Sequence, residues 1–246
     1  MTTTPASPAP SPARRHVPQG GPPLLAPALA FAVLTVASLV LGAAGPRPGT
    51  AAAVVLAYDL GHNAVLTVAG TVVFGSAIPL AIWAATAYRR LRRLGITAPG
   101  TAMAFAGGML ASASLALSGL LTWTAAQSAD PSAPGLARAL TTLGFATGGP
   151  GFVVPFALLL AGVAVPVLIL RLMPRWVAWT GLVIAALGML ATLSLLAPAL
   201  YPLLPIGRFG GLIWLIAASV LLPQTRPHRT NVTASVREYR LADTTH

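Results

Sequence analysis

Six stretches of this chain run for about twenty residues with almost no charged side chain, and that pattern decides what the chain can fold into. A helix rising about 1.5 Å per residue needs about 20 apolar residues to cross about 30 Å of hydrocarbon. The stretches cover residues 24–44, 64–88, 101–123, 152–170, 176–196 and 206–222. Lipid offers backbone amides no hydrogen-bond partner, so each stretch must satisfy its own backbone as a helix. The expected fold class is therefore all-α: a polytopic transmembrane helical bundle of six spans. A soluble fold fails on composition, since 8% of residues are charged and 56% hydrophobic, whereas soluble domains are about one quarter charged.

The flanks read differently. Residues 1–23 hold seven prolines among Ser, Thr and Gly, with Arg14, Arg15 and His16 near the middle, a composition that cannot pack a core and predicts a disordered arm. Residues 24–222 form the membrane domain and 223–246 a basic tail. Between the spans, residues 50–63 read as a short interfacial helix or turn. The polar connection 127–149 holds a short helix about 136–143, and residues 171–175 make a tight loop. The last span is approached through Pro198, Pro202 and Pro205 with Arg208 near its start, so a re-entrant ending is the alternative to a full crossing. The first apolar run exceeds the 7–15 residues of a signal-peptide core, which favours a retained span.

All fifteen basic side chains are arginines, and their placement orients the bundle. Twelve fall on the termini and even-numbered loops, against Arg47, Arg138 and Arg208 on the odd ones. That is the positive-inside pattern of a cell-membrane protein with both termini cytoplasmic. Omitting the last span would reduce the bias to eight against seven. The net charge of +11 is thus accounted for by topology, and the basic segments lack the interleaved aromatics of a nucleic-acid surface. Arg89, Arg90, Arg92 and Arg93 are expected at anionic inner-leaflet head groups, at about 1 kcal/mol each. Trp83, Tyr88, Trp176 and Trp179 on the inner side, with Trp123 and Tyr201 on the outer, read as interfacial belts. The absence of lysine and the abundance of Ala, Gly and Pro fit a GC-rich, bacterial coding bias.

The spans hold no Asp, Glu, His or Lys, and their arginines stand at ends where side chains reach the interface. This argues against a charge-coupled pump, which binds and releases ions at the midplane, and against an intramembrane metalloprotease. With no cysteine either, no metal or cofactor site is expected. The one ionisable cluster near the bilayer is Asp59, His62 and Asn63 at the mouth of the second span. Residues three apart share a helix face, so Asp59 and His62 are the only catalytic candidates, for a proton, a metal or a catalytic water; a hydrogen-bonded helix entry is the alternative.

In the third span Ala104, Gly108, Ser112 and Ala116 form a small-residue row, flanked by Gly107, Ala111, Ser114 and Ser118. Such a face lets helix backbones approach closely, either inside the bundle or across a homo-oligomer. Ser112, Ser114, Ser118 and Thr122 offer hydroxyls to a polar path or to their own backbone. Pro79, Pro155 and Pro166 are expected to kink the second and fourth spans. The octapeptides at 75–82 and 162–169 share the pattern Gly-x-Ala-β-branched-Pro-aliphatic-x-Ile, consistent with a duplicated two-helix unit of period 87.

The segment Leu172-Met-Pro-Arg-Trp-Val-Ala-Trp-Thr-Gly181, a tight turn opening a span, resembles the turn of a family of uncharacterised bacterial integral membrane proteins carrying a domain of unknown function. The layout over about residues 24–222 is similar too: an outer amphipathic segment, an arginine-rich loop after the second span, and a short last span ending in Leu-Leu. The resemblance implies the topology; the family has no assigned activity to carry over. Three readings of function follow. They are a non-enzymatic membrane component that packs with itself or with a membrane partner, a carrier for an apolar or neutral solute, and an outer-surface lipid-modifying enzyme using Asp59 and His62.

Overall fold

The computed structural model describes residues 23–223. The arm 1–22 and the tail 224–246, with six of the arginines that set the inside bias, lie outside the described residues. The chain forms α1 (Leu25–Gly42), α2 (Ala52–Gly61), α3 (Asn63–Arg93), α4 (Pro99–Gln127), α5 (Pro134–Gly148), α6 (Pro150–Ile169), α7 (Arg175–Leu190) and α8 (Leu203–Leu221), with 3-10 turns at Ala191–Leu195 and Pro198–Leu200. Among the described residues there is no strand. Six helical stretches are long and apolar enough to cross a membrane: α1, α3, α4, α5 with α6, α7 with its 3-10 turn, and α8 with the turn before it. The bundle's outside is apolar as well. Val40, Ile169, Ile213 and Val220 are all exposed, as hydrocarbon-facing side chains must be.

Proline starts these helices and a left-handed residue ends two of them. Pro99, Pro134 and Pro150 each stand in a first turn, where the missing N–H has no helical partner to lose. α3 ends with Gly95 at φ 76°; Gly95 N–H donates to Arg92 O and Ile96 N–H to Leu91 O, the Schellman pattern. α6 ends the same way, with Arg171 N–H on Leu168 O and Leu172 N–H on Val167 O, but its left-handed residue is Arg171 at φ 52°. These two hairpins carry Arg89, Arg92, Arg93, Arg171 and Arg175, and they mark one end of the bundle. α2 marks the other.

α4 is central, packed against α3 on one side and α6 on the other. The small-residue row makes this possible: Ala104, Gly108 and Ser112 are buried and Ala116 half-buried. A Cβ added at Gly119 would lie 2.5 Å from Phe74 N and 2.7 Å from Gly70 O of α3; one at Gly107 would lie 2.7 Å from Pro155 O of α6. The face that could have joined two copies is thus consumed within one chain. Ser112 donates to Gly108 O and Thr122 to Ser118 O, back onto α4 itself, whereas Ser118 donates across to Gly144 O of α5.

Several expectations change. The connection 127–149 holds a 15-residue helix in place of a short one at 136–143. α8 begins at Leu203 because Pro202 caps it and Pro205 sits in its first turn, where proline is tolerated; Arg208 is therefore inside the helix and does not stand at an interfacial end. Trp83 is not an interface anchor: it is 0% exposed and donates its indole N–H to Ser219 Oγ at 2.8 Å. Trp176 and Trp179 do face outward, at 70% and 58% exposure. Pro79, Pro155 and Pro166 lie inside continuous α3 and α6. Pro79 stands sixteen residues before its hairpin's left-handed residue and Pro166 only five, so the matched octapeptides stand at different distances from their hairpins.

Candidate functional site

The residues that matter gather where α5 gives way to α6. Gly148 and Gly149 precede Pro150, which has no N–H to give, so the chain cannot carry one hydrogen-bond ladder through the junction. Gly149 is required there by space, since a Cβ would lie 2.6 Å from Phe145 O. The break is deep. Gly148 packs on Ser118 of α4, nine residues from the helix's last residue, or about 14 Å. A 29-residue α4 is about 43 Å long and overhangs a centred 30 Å layer by about 6 Å at each end. Against such a layer the break would lie about 8 Å inside the apolar region.

Irregular backbone survives at such depth only where protein or a cavity satisfies it, and Arg208 of α8 does so. Its guanidinium donates to Gly148 O at the carbonyl end of α5, where the helix dipole favours a cation, and its Cζ lies 4.9 Å from the Phe152 ring centroid. Phe152 stacks on Phe156 at 5.0 Å, and Phe31 of α1 tilts against both. One N–H of the five on a guanidinium is used in this way.

Arg208 also lines a cavity of about 320 Å³ between α1, α3, α4, α5, α6 and α8. Its polar lining is Arg208, Thr35, Ser38, Ser76 and Ser118. Thr35 is 5% exposed and its Oγ1 has no hydrogen-bond partner among the described residues, whereas Thr67, Thr71, Thr122, Thr124 and Thr180 each bond a backbone carbonyl of their own helix. Around the rim, Ser38 and Leu39 of α1 are half-buried, and Pro205 and Phe209 of α8 are exposed. The two exposed lining residues are thus both on α8.

A second, smaller cavity of about 200 Å³ lies toward the α2 end and shares Gly144 and Phe145 with the first as a common wall. Asp59 lines it. The side chain is 2% exposed, Oδ2 has no partner, and burial pushes the carboxyl up to about 6. His62 goes the other way. It is exposed, its ring stacks on Tyr58 at 4.2 Å, and Nδ1 lies 3.0 Å from Tyr58 O. The shared helix face therefore does not bring Asp59 and His62 together. Asn63 donates to Ala126 O, tying the start of α3 to the end of α4. Among the described residues no three His, Cys, Asp or Glu side chains cluster as metal ligands.

At the arginine end, Arg89, Arg92 and Arg93 are exposed. Arg90 is not a free head-group contact: it donates to Leu222 O at 3.1 Å and caps α8. The sequence reading missed Thr35 and the position of Arg208. The available signal was the Gly-Gly-Pro at 148–150, a helix break whose carbonyls need a donor. No protein-family model, curated protein or solved structure matches this chain.

Proposed function

We propose that this chain is a multi-pass plasma-membrane protein, both termini cytoplasmic, that works without catalysis by taking up an amphiphile with an anionic head group in the cavity between α1 and α8. The observation that carries this is Arg208, a cation held inside the apolar layer beside the unpartnered hydroxyl of Thr35. An ionisable side chain at such depth is costly and is retained where it meets a partner. Here the protein supplies a carbonyl and an aromatic face but no carboxylate, so the remaining donors suit a phosphate or carboxylate. The exposed Pro205 and Phe209 of α8 suit a tail that stays in lipid. This departs from the carrier reading for an apolar or neutral solute and puts an anion-headed amphiphile in its place. It also leaves the lipid-modifying reading without a joined Asp59–His62 pair. The twelve-to-three arginine count supports the orientation, and the turn at 172–181 the kinship with the uncharacterised bacterial family.

The test compares dodecyl phosphate, dodecyltrimethylammonium and dodecyl maltoside as additives to the full chain in neutral detergent. A ligand that binds only the folded state stabilises it, by about 2.7 kcal/mol at a hundred times its Kd. Dodecyl phosphate alone should raise the unfolding temperature, and Arg208→Met should abolish the rise. Equal effects from all three would remove the proposal. Tags at either terminus should be inaccessible from outside intact cells; labelling of either one from outside refutes the orientation.

A further inference from the structure

The second cavity has chemistry opposite to the first. We infer that Asp59 and the cavity it lines form a separate binding site for a small organic cation, a primary ammonium group carrying a short alkyl chain. A carboxylate with a buried oxygen and no donor is incomplete, and what it lacks is a cation or N–H donor. The lining residues offer what an ammonium uses: the Asp59 carboxylate, the threonines Thr122 and Thr141, and Tyr58, whose ring stacks on His62. Three N–H donors can be shared among carboxylate and hydroxyl oxygens, and an aromatic face adds cation–π attraction. Leu66, Ala125 and Phe145 make the rest of the wall apolar, which suits the alkyl chain and disfavours a hydrated metal ion.

Among the described residues no protein cation fills the role. Arg47 of the α1–α2 link, Arg138 of α5 and His62 are all exposed, as is the acidic Asp130 beyond α4. None of them gives Asp59 Oδ2 a partner. The burial that pushes the carboxyl up also means the empty site takes a proton readily, so proton and ammonium compete for the same oxygen.

The test uses the full chain in vesicles or neutral detergent, with hexylammonium as probe and a hydrophobic carbodiimide as reporter of accessible protonated carboxyls. Asp59 labelling is quantified by peptide mass spectrometry. Hexylammonium should slow labelling of Asp59 about tenfold or more near pH 6, with little protection at pH 4, where the carboxyl is already protonated. Asp59→Asn should remove hexylammonium binding measured calorimetrically while the dodecyl phosphate response survives. Protection by phosphatidylethanolamine vesicles as well would identify a lipid head group as the source, and protection by hexylammonium alone a soluble amine; either supports the site. Equal protection by sodium or tetramethylammonium at matched ionic strength, or undiminished hexylammonium binding in Asp59→Asn, overturns it.

Discussion

Replacing Arg208 with methionine should separate binding from stability. The wild-type guanidinium makes one charge-assisted hydrogen bond, to Gly148 O, with a net value of about 1.5–3 kcal/mol. Its place over Phe152 adds about 1–2 kcal/mol at a desolvated site. The substitution therefore removes roughly 2.5–5 kcal/mol. It also abolishes the cost of keeping a cation in the apolar layer, about 2.5–3.5 kcal/mol, and methionine's flexible stem refills much of the space. The two sides largely offset each other, so Arg208→Met should lose no more than about 2.5 kcal/mol in ligand-free unfolding.

Binding should behave differently. Losing the charged partner of an anionic head group costs about 2–5 kcal/mol, or about thirtyfold or more in Kd. Arg208→Lys keeps the charge but not the planar fork and should fall between. The assays are reversible unfolding in mixed micelles, followed by tryptophan fluorescence, and titration with dodecyl phosphate. A loss of more than about 3 kcal/mol in stability with unchanged affinity would refute the reasoning and make Arg208 a helix cap and nothing more.

Three further outcomes can be checked by unfolding in detergent. Gly119→Ala should destabilise by about 1–3 kcal/mol, because its Cβ meets Phe74 N and Gly70 O, while Gly75→Ala, with nothing within 4 Å, should gain up to about 1 kcal/mol. Arg171→Gly should stabilise by about 1 kcal/mol by relieving a left-handed side-chain conformation, seen as a higher unfolding midpoint. The folded state holds the Asp59 proton to about pH 6, above the ordinary carboxyl value of 3.8. Stability should therefore fall as pH rises through that window and stay lower above it, and Asp59→Asn should flatten that part of the melting-temperature profile; an unchanged profile in the variant rules out Asp59 as its source.

The six apolar stretches and their approximate limits were legible because backbone satisfaction in lipid is local and depends on length and composition. The small residues of the α4 row were legible too, but whether they met the bundle or a second copy was not; the burial of Ala104, Gly108 and Ser112 within the bundle decided it. Trp83 and Trp176 show where such reading stops. Both stand at the arginine end of a span and fit the same interface rule, yet one bonds to Ser219 and the other faces out. The difference lies in which side of α3 meets α8.

For the candidate site, the sequence displayed Asp59 and His62 as one cluster, and three-residue spacing is a statement about a helix alone. Packing of α2 on α5 turned Asp59 into a cavity and left His62 outside. Arg208 was visible but placed at an interface, because proline reads as a breaker until the start of the helix is known.

By itself, then, the sequence determined a helical chain with six stretches fit to cross a bilayer, since the cost of an unpaired backbone amide in hydrocarbon leaves no other conformation. It could not determine rotation. In α4 and α6 nearly every residue is apolar or small, so no polar face marks an outside, and the inward side is chosen by where glycines and alanines of neighbouring helices meet. That choice, with the break at Gly149, brings Arg208 to the end of α5 and opens a cavity beside it. The site exists only because six helices that look alike to water are not alike in shape.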